Sequence, residues 1–180
     1  SEHQRQQQLG IPMTATDVPL VSILMRSMDR DTLKVALDSV ALQTYSNIEV
    51  VVANANGGSH TLLGDWCGRF PLRLISRTEQ LQRSRAANVA LKEARGQHLI
   101  FLDDDDWFAP HHINALVEGA RQNTQVRAIY SNVQVVGAEG EFQEHIFRPE
   151  FDPLRMMADN QIPIHAILFN QSLVALGCVF

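Results

Sequence analysis

Short apolar runs alternate with stretches of helical spacing four times along the chain, and no other feature of the sequence restricts the fold as much. Residues 20–25 form an apolar run of the kind that suits a strand buried on both faces. Asp29 and Asp31 then offer N-caps for a helix over 32–43, with Leu33, Ala36, Leu37 and Val40 on one face. A second strand is predicted at 48–53. It ends in Asn54-Ala55-Asn56-Gly57-Gly58, a turn composition. Residues 72–75 read as a weaker third strand. Residues 82–95 read as a helix carrying Ala87, Ala90, Leu91 and Ala94 on one stripe, with Gly96 as its C′ cap. The fourth strand is expected at 98–102. After Pro110 a further helix shows Ile113, Leu116, Val117 and Ala120 in one stripe. Residues 126–136 are strand-like, and 141–147 can pair with them. A helix near 153–158 and an apolar stretch at 164–169 follow. Such alternation predicts an α/β fold, a mostly parallel sheet with helices on both faces, and ligands bound beyond the carboxyl ends of its strands. Three segments fall at those ends: 26–30, 54–59 and 103–106.

The bulk properties exclude some functions. The chain has 180 residues and a net charge of −5, with no basic cluster interleaved with aromatics, so no nucleic-acid partner is expected. Residues 1–17 are Gln-rich without periodicity and read as a polar tail or linker; residues 18–180 read as one domain. No apolar run is long enough to span a membrane. The chain opens on Ser1 rather than methionine, which suggests a processed or excised piece. Cys67 and Cys178 sit in no metal-binding spacing and read as buried thiols in a reducing compartment.

The chemistry concentrates in Asp103-Asp104-Asp105-Asp106, which follows the apolar 98–102 run directly and precedes Trp107-Phe108-Ala109-Pro110. Four adjacent carboxylates at the end of a buried strand repel one another, and a divalent cation relieves that repulsion. Their oxygen ligands suit Mg²⁺ or Mn²⁺, a metal that completes its shell with substrate phosphates. The alternative is a solvated acidic turn. Two other metal–phosphate chemistries fit less well. A dehalogenase-like phosphatase would want its aspartates after the first strand and a Thr or Val where Trp107 stands. A nucleotidyltransferase would want a glycine-rich loop where Arg26-Ser27-Met28-Asp29-Arg30 stands.

Five segments, in order, resemble those of family 2 glycosyltransferases of the GT-A fold. Residues 21–25 are similar to the opening VSIII strand, 36–45 to the ALDSVLAQTY helix end and 48–52 to the IEIIVV strand. Residues 88–96 resemble the N-x-G-x-x-x-A-x-G segment, and 101–110 resemble the FLDxDDxxxP signature. The resemblance implies an inverting transfer of sugar from a nucleotide-diphosphate donor, a UDP-sugar foremost, to a glycan or glycoconjugate acceptor, assisted by Mn²⁺ or Mg²⁺. Asp103 and Asp105 would be the DxD metal pair. Ser27, Arg30, Asn54, Arg83 and Arg85, with Asp103 and Asp104, would face the nucleotide. The setting it implies is cytoplasmic, compatible with peripheral association at the inner face of the membrane.

The departures from the pattern are specific. Arg26 replaces the usual proline after the first strand, and Met28-Asp29 replaces Tyr-Asn. Asn54 stands where the family carries the acid that contacts the base. The family's acceptor base lies further along than Phe180, so the domain is expected to be C-terminally incomplete and no catalytic base is assigned. A donor-binding module without turnover is the alternative function. Asp152 and Asp159 read as surface or capping acids, and His111-His112 as a wet first helical turn in preference to an added metal ligand. His165 reads as either a core histidine or an acceptor-side residue. Trp107 either walls a sugar pocket or packs in the core.

Overall fold

Strand β1 (Val21–Ser27) and strand β2 (Ile48–Asn54) are buried along their whole length, as a central parallel strand must be when both faces are covered. The computed structural model describes residues 18–180 apart from 138–139, 149 and 160, so the tail expected at 1–17 lies outside the described residues. Helix α1 (Leu33–Ala41) joins β1 to β2. It is followed by β3 (Trp66–Cys67), β4 (Phe70–Ile75), α2 (Arg83–Glu93), β5 (His98–Asp103) and α3 (His112–Gln122). The chain continues through β6 (Ala128–Tyr130), β7 (Val133–Val136), β8 (Phe142–Phe147), α4 (Pro153–Ala158), β9 (Ile167–Asn170) and α5 (Ser172–Ala175).

Seven strands form one sheet in the order β3-β4-β2-β1-β5-β9-β6, and β7 pairs with β8 as a separate ribbon. β4, β2, β1 and β5 are parallel; β3, β9 and β6 add antiparallel edges. The expected parallel core is therefore present, but the sheet is mixed. The strand-like 126–136 segment divides in two. β6 joins the main sheet, and β7 pairs with β8 as expected.

Strand alternation sorts the side chains into two cores. Val21, Ile23 and Met25 pack with Leu33, Ala36 and Val40 of α1 and Ile113, Leu116 and Val117 of α3. Leu24, Leu99 and Phe101 face Ala86, Ala87, Ala90 and Leu91 of α2 on the opposite side. Alanines on α2 bring its backbone close to the sheet. Among the described residues, no helix is long and apolar enough to cross a membrane.

Two buried polar hubs fix the frame. Glu49 accepts from Ser22 Oγ at 2.6 Å, from the Arg95 amide at 2.7 Å and from Arg73 at 3.0 Å, tying β1, β2 and β4 to the end of α2. At the far end of α1, Gln43 donates to the Ala109 carbonyl at 2.8 Å and accepts from the Ile113 amide at 3.2 Å, and Ser39 Oγ accepts from the Phe108 amide. The chain leaving the acidic tetrad is thus bolted to α1.

Three local expectations are corrected. Neither Asp29 nor Asp31 caps α1, whose N-cap is Thr32 without a side-chain bond. Asp29 instead adopts φ 59° and accepts from the Thr61 amide at 2.9 Å. Cys178 is exposed, and only Cys67 is buried, where loss of hydration raises its thiol pKa to about 11. Gly96 is not a C′ cap, because α2 ends at Ala94 in extended backbone. Its role is close approach: a Cβ there would lie 2.6 Å from Ser22 N and 2.8 Å from Leu20 O. Gly96→Ala should therefore cost about 1–3 kcal/mol, read as a lower urea midpoint with an unchanged slope.

Candidate functional site

In the order β2-β1-β5, the chain turns to opposite sides of β1, so a crevice opens between the carboxyl ends of β1 and β5. The parallel register places Arg26 beside Asp103 on that crevice. Both residues point to the α2 face, in phase with Leu24 and Phe101. Arg26 is 8% exposed and reaches Asp103 through Nε at 2.8 Å and through Nη2 at 2.6 Å to each carboxylate oxygen. Its guanidinium also lies over the Phe101 ring, 5.7 Å from the centroid.

The remaining acids separate by direction. Asp104 is buried; its Oδ2 accepts from the Met28 amide at 2.7 Å and its Oδ1 from Arg30 at 3.2 Å. Asp105 is half exposed, and its Oδ2 lies 2.6 Å from the same Arg30 nitrogen. Asp106 closes a turn through its amide to the Asp103 carbonyl, and its carboxylate lies 3.0 Å from His165 Nδ1. Single oxygens of Asp103, Asp105 and Asp106 lie within 4.8 Å of one another. Three hard carboxylate oxygens on a water-facing rim form a donor set that fits Mg²⁺ or Mn²⁺. Asp106 thus stands beside the expected pair Asp103 and Asp105. Asp104 stands apart, committed to the β1 loop.

The loops after β1 and β2 are tied together. Ser27 is fully buried, and its Oγ accepts from the Asp29 amide and lies 2.9 Å from His60 Nε2. His60 Nδ1 lies 2.8 Å from the Thr61 carbonyl. A carbonyl only accepts, so Nδ1 carries a proton directed at it, and the Asp29 carboxylate lies 3.6 Å from the same nitrogen. Asn54 is also fully buried. It donates to the Gly58 carbonyl and accepts from the Asn56 amide, so its amide organises the turn. Gly57, at φ 77°, passes so close to Gln80 that a Cβ would meet its amide at 2.5 Å. Arg83 and Arg85 stand exposed on the first turn of α2, where Arg85 pairs with Glu79 at 3.1 Å. Arg26 and His60 were not read as site residues from sequence. The missing proline at position 26 was the one signal for the first; the second had none.

Beyond Asp105 and Asp106 a cleft of about 560 Å³ opens between the tetrad and the β7–β8 ribbon. Trp107, 45% exposed, lines it together with Phe142, Phe147, Pro163 and His165. Trp107 is therefore a wall residue, not core. His112 is not a wet first-turn residue as expected. Its ring stacks on Phe108 at 4.5 Å, its Nε2 is buried without a partner among the described residues, and burial lowers its pKa to about 4.

Residues 22–173 match the family model described as Glycosyl transferase family 2. An uncharacterized glycosyltransferase of Haemophilus influenzae is 28% identical over 112 residues, covering 62% of this chain and 38% of its own length. The chain spans well under two thirds of the length of this relative. Two solved structures share the fold. Mannosyltransferase PcManGT from Pyrobaculum calidifontis, in complex with GDP-Man and Mn²⁺, superposes with a TM-score of 0.63 at 17% identity, covering 99% of this chain and 54% of its own. S. aureus TarS 1-349 in complex with UDP gives 0.70 at 19% identity, covering 88% and 48%. The GT-A architecture implied by the sequence resemblance is thereby met.

Two predictions follow from the site's electrostatics. Arg26→Met leaves Asp103 unpaired beside a core and should cost about 3 kcal/mol, while adding Asp103→Asn should recover part of it, both read by urea denaturation. For His112 the folded pKa lies below the free value of 6.5. The unfolded chain therefore takes the proton first as pH falls, and stability drops across the window from 6.5 to about 4. Wild type should lose on the order of 2 kcal/mol more than His112→Phe over that window.

Proposed function

Because the chain belongs to glycosyl transferase family 2, we propose that it forms the donor-binding part of an inverting enzyme that transfers a sugar from a nucleotide diphosphate, foremost a UDP-sugar, to a glycan or glycoconjugate hydroxyl. One observation carries this reading: Asp103, Asp105 and Asp106 converge within 4.8 Å at the switch-point crevice. Asp105, with Asp103 and Asp106, would hold Mn²⁺ or Mg²⁺, which supplies Lewis-acid stabilisation of the departing diphosphate. The mannosyltransferase complex with GDP-Man and Mn²⁺ and the TarS complex with UDP support a nucleotide donor and a metal in this fold.

The chain's own residues divide the remaining work. Arg26 holds Asp103 through its guanidinium, so that carboxylate meets the donor in one orientation. Arg30, Arg83 and Arg85 offer guanidinium groups to phosphate from the loop after β1 and the first turn of α2. Ser27 and Asn54 act through the loops they hold, because Ser27 Oγ and the Asn54 amide are both engaged. Trp107 and His165 line the cleft on the acceptor side of the tetrad. Asp152 caps α4 by accepting from the Leu154 and Arg155 amides, so it is not assigned as the acceptor base. Supply of nucleotide sugar favours a cytoplasmic setting.

Calorimetric titration of UDP with and without Mn²⁺ tests the reading. Binding should require the metal and weaken at least about tenfold in Asp105→Ala, as expected for loss of a charged ligand. Heat that is independent of Mn²⁺ and of Asp105 would sink it. Tighter binding of GDP than UDP would reassign the base. Hydrolysis of a UDP-sugar, measured alongside, separates a chain capable of turnover from a donor-binding module.

A further inference from the structure

The two arginines of the tetrad are built differently. Arg26 is clamped: it is buried, makes three contacts with Asp103 and lies over Phe101. Arg30 is half exposed, and one of its nitrogens serves both Asp104, at 3.2 Å, and Asp105, at 2.6 Å. Asp104 does not depend on it, since the Met28 amide holds the other oxygen at 2.7 Å. The short contact is therefore to Asp105, one of the three carboxylates that converge on the crevice. One guanidinium occupies an oxygen of the same group that the donor-binding reading assigns to the metal.

We propose that Arg30 is an exchangeable internal cation, which neutralises Asp105 in the metal-free protein, yields it to the divalent ion, and then turns its guanidinium to the donor's diphosphate. This deepens the donor-binding reading and rests on it. The backbone beside Arg30 need not move, because Asp29 is anchored to the Thr61 amide and Asp29 N to Ser27 Oγ. Only a half-exposed side chain has to rotate. Ion pairs of that exposure are weak, so a doubly charged ion displaces the guanidinium readily. A released guanidinium suits phosphate, which it meets with two parallel hydrogen bonds. Metal and nucleotide are then coupled: each makes the other bind more tightly, by the same factor.

The test uses the wild-type chain, Arg30→Gln and Arg30→Lys, with Mn²⁺ binding followed by loss of the free-ion electron paramagnetic resonance signal. UDP binding at saturating Mn²⁺ is followed by calorimetry. Without nucleotide, Arg30→Gln should bind Mn²⁺ about three- to tenfold more tightly, because its competitor is gone. The same variant should bind UDP about tenfold more weakly, with Arg30→Lys between the two. Equal or weaker Mn²⁺ binding by Arg30→Gln overturns the proposal, and so does unchanged UDP affinity. If wild type binds Mn²⁺ and Asp105→Ala abolishes it, yet Arg30→Gln changes nothing, this inference fails and the donor-binding reading stands. If no variant, wild type included, binds Mn²⁺, both fail together.

Discussion

Four consecutive carboxylates at the end of a strand whose apolar residues 99–102 are fully buried are the constraint around which the rest of this structure is arranged. Left alone, they would repel one another beside apolar side chains, where charge is poorly solvated. The fold answers with a separate solution for each. Asp103 receives a buried guanidinium from the neighbouring strand, Asp104 an amide from the β1 loop, Asp105 a half-exposed arginine and Asp106 a histidine. The first solution needs β1 and β5 adjacent, parallel and in register, since only then does Arg26 lie beside Asp103 on one face. Sheet order and site electrostatics are therefore one requirement seen twice.

The same dependence extends to the scaffold. The tetrad's exit, Phe108 to Ile113, is held by Ser39 and Gln43 at the end of α1. Glu49 and Gly96 hold the entry, drawing the end of α2 onto β1 through Ser22. These are buried polar groups whose partners are all protein atoms, so they fix position more than they add stability. A carboxylate that must meet a ligand in one orientation needs such support from several elements at once.

What could be read in the sequence was whatever depends on local pattern. Strands buried on both faces leave continuous apolar runs, and α1, α2 and α3 each bury one stripe, so the parallel core and its helices were legible. The tetrad was legible for the same reason: charge directly after an apolar run is a local signal. Pairing was not. β3 has two residues, and β9 reaches β5 and β6 through long-range register, which leaves no trace in nearby residues. Gly96 looked like a helix stop because its neighbours were helical; its function is set by Ser22, far away in sequence. Arg26 registered only as a missing proline, and His60 not at all, because Ser27 is its partner across 33 positions. In the sequence Asn54 reads as a residue facing the nucleotide, and in the fold both groups of its amide are used by the turn.

The turn closed by the Asp106 amide on the Asp103 carbonyl does one further thing that the linear motif conceals. In an extended strand, alternate acids would share a face, pairing Asp103 with Asp105 and Asp104 with Asp106. The turn breaks that alternation. Asp104 alone turns inward to the Met28 amide, while Asp103, held by Arg26, brings an oxygen within 4.8 Å of those of Asp105 and Asp106, whose side chains are 52% and 39% exposed. A crevice at a strand end thus acquires two sides from one short segment. Asp103 and Asp104 are fixed by Arg26 and Met28, and Asp105 and Asp106 border the cleft of Trp107 and His165. In the donor-binding reading, this division lets one run of acids grip a nucleotide rigidly while presenting exchangeable oxygen ligands toward the cleft. Four identical side chains could not do both if the strand simply continued.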